Sequence, residues 1–271
     1  MSLNLGIIAS QRGTAAPLAG LLLDTYPSAA AAYSLRKLRT AYSGSAIRVR
    51  RSSDNTESDI GFNGGGGLDT TALTTFVGAG NGFVRTWYDQ SGSGNNLTQA
   101  TTTLQPNIVT SGVVNTRNSK PCIIFSANRL VFTNTITTAI GSSFSFWMTY
   151  EKSAATNNSV LQNTANNSYH WLDYLTTQYL NGANNNIVIT SLATNSYGLI
   201  NIITNYSVGA TMYRNSASIG SRGALTGSSV SNYFLNNASI VRTSEFIFYA
   251  SNKTSDRTGI NANINLFYTI F

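Results

Sequence analysis

The chain predicts an all-β antiparallel sandwich carrying a few short helices. Short apolar runs dominate from Phe83 onward: FVRTWY, CIIF, LVF, FSFWMTY, IVIT, LINIITNY, ATMYRN and EFIFYA. Clusters of Asn, Gly and Ser separate them, the pattern of strands joined by polar turns. No linker divides the 271 residues, and no 20–50-residue repeat is visible. Sandwiches of this length fold as one unit and bury their apolar surface without staples.

Residues 1–20 read as an N-terminal arm or anchor, with Leu5, Ile7 and Ile8 ahead of Gly, Ala and Pro. They fit an anchor to a larger assembly or a strand of the domain equally well. Residues 21–271 form the sandwich domain. Pro27-Ser28 predicts a helix start with Ser28 as N-cap. Ala31, Leu35, Leu38 and Tyr42 recur at helical spacing, Arg39 suits the C-terminal dipole, and Gly44 ends the run. Ile47 and Val49 alternate with Arg48 and Arg50, predicting a half-buried strand. Asn63 to Gly67 is a glycine-rich loop. Asp69 then caps a short helix containing Leu73 and Phe76 and stopped by Gly78. A last helix is expected with Ser255 as cap and Ile260, Ile264 and Phe267 on one face.

Only 10% of the residues are charged, far below the usual quarter. Asn, Ser, Thr and Gly replace them, a surface suited to a secreted or particle-borne protein. The net charge is +7, with Arg36, Lys37, Arg39, Arg48, Arg50 and Arg51 clustered early. Asp54, Glu57 and Asp59 follow closely, so the cluster reads as a charged face and not as a nucleic-acid patch. Cys122 is the sole cysteine and lies in the apolar run PCIIF, so no intrachain disulfide is expected and folding in a reducing cytoplasm is. The start MSLNLGIIASQRG lacks a basic leader and a long apolar core, and no stretch approaches a membrane span. Release by lysis, as for a virion protein, is the expected route.

Three strings occur in order: AAYSLRKLRTAYSGSAIRVRRSSDNTESDIGF, LDTTALTTFVGAGNGFVRTWYDQSGSGNNLTQ and QPNIV. Together they resemble the catalytic-domain family of fungal-type α-L-arabinofuranosidase B. The resemblance implies a concanavalin A-like (laminin G-like) β-sandwich jelly roll and a carbohydrate ligand. ATMYRNSASIGS resembles the hairpin of that superfold, and SEFIFYASNKTSDRTGINANINLFY resembles its closing strand and helix. The family carries its catalytic carboxylates in an acidic strand motif and a Gly-Gly-Asp-Asn-like loop, and neither motif is found here. In this form the strings look typical of bacteriophage proteins. The expectation is therefore a bacteriophage virion structural or surface protein: a tail, spike or capsid-decorating component. Its partners would be other virion proteins through the N-terminal arm, a host-surface glycan and further copies of itself. Nucleic acid and membrane insertion are not expected. The alternative is a glycoside hydrolase of the α-L-arabinofuranosidase type.

Retaining glycoside hydrolysis needs two carboxyl groups about 5–5.5 Å apart. After Asp89 the chain offers only Glu151, Asp173, Glu245 and Asp256. Glu245 opens EFIFY, where a structural role is expected, and Asp256 suits the first turn of the last helix. Glu151 lies beside Lys152 at a strand end, where solvation is expected. The weak catalytic candidates are thus Asp173 and Glu151, with Glu245 as another possible partner for Asp173. SYHWLDY also offers a sugar site from His170, Trp171, Asp173 and Tyr174, an aromatic ring for stacking beside hydroxyl-binding groups. Strand alternation puts Trp171 and Asp173 on one face, His170 and Leu172 on the other. Asp89, Gln90, Ser91, Asn95 and Asn96 either present amides and a carboxylate to a sugar or satisfy backbone groups in a tight turn. No cofactor or metal is expected: one His and one Cys make no metal spacing, Asp54 and Asp59 lack EF-hand spacing, and GFNGGGG lacks the P-loop ending.

Overall fold

A computed structural model describes residues 20–138, 142–154, 158–163, 168–174, 177–180, 185–189, 192–225, 229–237 and 240–271. The expected N-terminal arm at residues 1–19 lies outside the described residues.

Two antiparallel layers make the sandwich. One runs Ala31–Ser34, Glu245–Tyr249, Ser145–Lys152, Gly198–Asn205, Gly209–Arg214 and Ala217–Arg222 in neighbouring order. The other begins at Asn185–Val188 and passes through Thr177–Leu180, Ser168–Tyr174 and Asn158–Asn163 to Ser229–Asn237. It continues through Leu130–Thr138, Leu97–Thr98 and Gly82–Trp87 to Ile47–Arg51 and Glu57–Ile60. The end of the Ser145–Lys152 strand links the layers, since Glu151 and Lys152 pair with Arg242 and Val241. An all-β sandwich with a few short helices is what the strand-rich sequence predicts.

Aromatic side chains fill the space between the layers. Phe234 and Phe246 meet at 5.0 Å between ring centroids, and Phe234 also contacts the rings of Trp87, Phe125 and Phe132. A second apolar cluster covers the opposite face of the first layer. There the helices Leu22–Thr25 and Arg257–Tyr268 place Leu22, Leu23, Ile260, Ile264 and Tyr268 against Trp147, Ile247 and Tyr249. Trp147 also donates its indole N–H to Asn261 Oδ1 at 2.7 Å, satisfying a buried donor. Both faces of Ser145–Lys152 and Glu245–Tyr249 are therefore buried along their whole length.

That double coverage corrects the helix expected after Ser28. Ala31–Ser34 is a strand, in register with Phe248 to Glu245. Ala31 and Tyr33 enter the inter-layer core while Ala32 enters the second cluster. A strand covered on both faces has no polar alternation, so its alanines read as helical. Ser28 has φ 68°, which excludes the N-cap geometry. Leu35 and Leu38 are buried from irregular chain.

The helix at Thr70–Val77 forms as expected. Asp69 accepts from Ala72 N at 2.9 Å, and Gly78 at φ 65° stops the helix. The last helix begins one residue later than expected: Asp256, not Ser255, is the N-cap residue, and Asp256 binds Lys253 Nζ at 2.9 Å. Tyr268 replaces Phe267 as the third fully buried residue of its apolar face.

Candidate functional site

The Asp89–Asn96 turn follows the central strand Gly82–Trp87 and packs against Ala31–Ser34. Asp89 Oδ1 accepts from Ala32 N and Ser91 N, each at 2.9 Å. Its Oδ2 accepts from Ser91 Oγ at 2.7 Å and Asn95 N at 3.0 Å. Gln90 Oε1 accepts from Leu38 N at 2.8 Å, and its Nε2 donates to the carbonyls of Ser34 and Arg36, both at 3.0 Å. Asn95 Oδ1 accepts from Asn134 N at 2.8 Å, and Asn96 Oδ1 accepts from Asp89 N at 2.9 Å. Tyr33 donates its hydroxyl to the Asn95 carbonyl. The turn thus clamps residues 31–38 onto the sandwich. Asp89, Gln90 and Asn95 are buried, and these bonds run to the chain's own backbone and to Ser91.

Glu151 sits differently from its expected place. It is 3% exposed, not solvated. Arg117 grips both oxygens at 2.7 and 2.8 Å, and Arg242 adds a bond to Oε1 at 2.9 Å. Burial raises the pKa of this carboxyl, but the two guanidiniums outweigh burial and hold it below its ordinary range. Beside it, burial pushes the Cys122 thiol up to about 12. Glu245 has the structural role expected of it: Arg36 binds it bidentately and Ser34 Oγ donates at 2.7 Å.

Asp173 lies on the strand Ser168–Tyr174, opposite Asn158 on one side and Gln178 on the other. Glu151 lies opposite Arg242. Among the described residues no ladder brings the two catalytic candidates onto neighbouring strands. Trp171 stands opposite Leu161. The side chains of His170, Trp171, Asp173 and Tyr174 lie outside the described residues.

Every described carboxylate has a partner. Asp54, Asp59, Glu57, Glu151, Glu245 and Asp256 pair with cations. Asp24 accepts from Thr40, Asp69 caps its helix, and Asp89 holds its turn. The partners Arg36, Arg117 and Arg242 escape sequence reasoning. A signal was present: 17 Lys and Arg face 10 Asp and Glu, so a buried carboxylate readily finds an arginine. Among the described residues no group of three His, Cys, Asp or Glu could hold a metal ion.

The family model for the catalytic domain of α-L-arabinofuranosidase B matches residues 23–197. The chain belongs to this family. A probable α-L-arabinofuranosidase B of Aspergillus clavatus is 36% identical over 95 residues, covering 35% of this chain and 19% of that protein. The α-L-arabinofuranosidase B of Aspergillus niger is 39% identical over 75 residues, covering 27% and 15%. This family member thus matches less than a fifth of the length of these curated relatives. Among solved structures, a GH54 α-L-arabinofuranosidase soaked with a cyclic sulfate inhibitor is similar with a TM-score of 0.61 at 16% identity. An arabinofuranosidase complexed with arabinofuranosyl-α-1,2-xylobiose gives 0.59, also at 16%. Each similarity covers 90% of this chain and 64% of the other, and shows a shared fold. These matches correct the expected virion role: family and relatives are those of an arabinofuranosidase catalytic domain, and nothing in them supports a tail, spike or capsid component.

Proposed function

We propose that the chain is a glycoside hydrolase of the α-L-arabinofuranosidase type, acting on α-L-arabinofuranosyl groups of a polysaccharide. The family match over residues 23–197 carries this reading, and the fold likeness over 90% of the chain supports it. Trp171 and Asp173, which alternation puts on one strand face, are the proposed sugar-contacting residues, with His170 on the other face as the lesser candidate. Asp173 is the first catalytic candidate. Glu151, held ionised by two arginines, is the second candidate.

One observation favours a second reading, binding without cleavage. The nine described carboxylates are all engaged, whereas retaining hydrolysis requires one carboxylate free to attack the sugar and a second free to give up a proton and then take one back. A single experiment separates the readings. The protein is incubated with arabinan and with 4-nitrophenyl α-L-arabinofuranoside, and both retained protein and released sugar are measured. Release that vanishes in Asp173→Asn, with unchanged thermal stability, supports the hydrolase. Retention on arabinan without release supports a binding module. Neither retention nor release would sink both.

A further inference from the structure

The glycine-rich loop between Gly61 and Gly67 has more glycines than its backbone requires. Of the four consecutive glycines, only Gly66 needs a left-handed conformation, at φ 77°. A Cβ at Gly64 or at Gly61 would meet no atom within 4 Å. One at Gly65 would touch only Asn63 Oδ1 at 3.4 Å, and one at Gly67 would make ordinary contacts with Phe267 and Asn63. Neither packing nor φ explains these positions. Glycine is otherwise selected where something outside must approach the backbone closely.

The loop forms the shared wall of two clefts. One, of about 440 Å³, is bounded by Lys37, Tyr42, Phe62 and Asn63. The other, of about 350 Å³, is bounded by Asn63, Lys120 and Phe267. Lys37 is fixed by its backbone N–H to the Gly66 carbonyl at 2.7 Å, and Lys120 Nζ lies 4.4 Å from the Phe267 ring centroid. Two lysines therefore flank the loop. The described carboxylates are engaged with other groups, so none neutralises either lysine. The Asn63 carboxamide spends its oxygen on Gly65 N and Gly67 N, at 2.9 and 3.2 Å, which turns the loop inward. Bare backbone, an amide, the Tyr42–Phe62 edge and two unneutralised cations suit a sugar that carries a carboxylate.

We propose that the 61–67 loop, between Lys37 and Lys120, binds a uronate unit of an acidic polysaccharide. The choice of a polysaccharide as carrier rests on the proposed function, whereas the site itself rests on the loop and its lysines. The test measures binding to polygalacturonate, linear neutral arabinan, dextran sulfate and duplex DNA at about physiological salt. The wild-type chain is compared with Gly64→Leu and with Lys37→Gln/Lys120→Gln. Arabinose release from 4-nitrophenyl α-L-arabinofuranoside and thermal midpoints are recorded for each. The expected result is selective binding of polygalacturonate, weakened by about tenfold or more in both variants: the leucine fills the space open at Gly64, and the double variant removes the charge-assisted lysine–carboxylate bonds. Thermal midpoints and arabinose release stay at wild-type values. Unchanged polygalacturonate binding in both variants would overturn the site. So would equal binding of dextran sulfate or DNA, which reports charge alone. Loss of polygalacturonate binding in a chain that releases no arabinose would keep the uronate site and remove the hydrolase. Release without polygalacturonate binding would do the reverse.

Discussion

Arg36 and Glu245 form a buried bidentate ion pair across 209 residues of sequence, with Nε–Oε2 at 2.8 Å and Nη2–Oε1 at 3.0 Å. The pair fastens the end of Ala31–Ser34 to the start of Glu245–Tyr249, where Ser34 stands in register with Glu245. Arg36 also lies over the Phe267 ring at 5.2 Å, so the last helix closes on the same guanidinium. Removing one partner strands the other charge in the interior. Arg36→Met should therefore lower unfolding free energy by about 3–5 kcal/mol, whereas Arg36→Met/Glu245→Leu should recover most of that loss. Urea unfolding of the wild type, both single variants and the double variant checks this. A double variant no more stable than Arg36→Met would mean that packing, not the stranded charge, sets the cost.

Asp89 gives a second prediction, because its two oxygens accept four hydrogen bonds in a buried turn. An amide nitrogen in place of Oδ2 would face the Asn95 N–H, donor against donor. Asp89→Asn should cost about 2–3 kcal/mol, the range for a charged hydrogen bond lost with its partner left buried. Hydrogen exchange supplies the readout: the Ala32 and Asn95 amides should lose protection ahead of the core strands. Protection unchanged at both amides would show that the carboxylate does not hold the turn.

The strands and the two later helices are legible in the sequence where burial is one-sided, or where aromatic and β-branched residues fill a strand covered on both faces, as in Ser145–Lys152 and Glu245–Tyr249. Ile47 and Val49 alternate with arginines because the strand Ile47–Arg51 has a core face and a polar face, even though Arg50 is itself covered. Ala31–Ser34 is illegible because two clusters cover it, so no alternation survives, and its alanines carry a helix former's signal in place of a β former's. The candidate site divides in the same way. The Asp89–Asn96 turn is recognisable as a unit, but an aspartate that binds backbone and one that binds sugar are written with the same letter. Glu151 looks solvated from its neighbour Lys152. Its true partners come from positions 34 and 91 residues away and from strands that meet only in the folded sandwich.

Cys122 is fully buried behind that arginine–glutamate cluster, and burial raises its thiol pKa to about 12. At pH 8 such a thiol is almost wholly protonated, and the thiolate is the reactive species. A disulfide reagent such as Ellman's should leave the native protein unlabelled over an hour at pH 8. Denaturant should then expose the single thiol to rapid labelling. Fast native labelling would show that the strand Ile123–Phe125 opens far more readily than a core strand should.

The same cluster fixes the sign of one acid-side effect. The folded Glu151 carboxyl lies below its ordinary 4.5, the net result of burial that raises it and Arg117 and Arg242 that lower it further. A depressed carboxyl binds protons more weakly in the folded state than in the unfolded chain. Its contribution is therefore fully present above the unfolded value and is lost as pH falls through the folded value. Glu151→Gln removes the charge and leaves two arginines facing an amide, so its thermal midpoint should be lower at pH 7. As pH drops below 4.5 towards the folded pKa, the wild type should lose this advantage and the two melting curves should converge. Asp59, also held low by Arg48, titrates in both proteins and cancels from the difference. A gap between wild type and variant that stays constant from pH 7 to about pH 2 would show that the arginines do not stabilise an ionised Glu151.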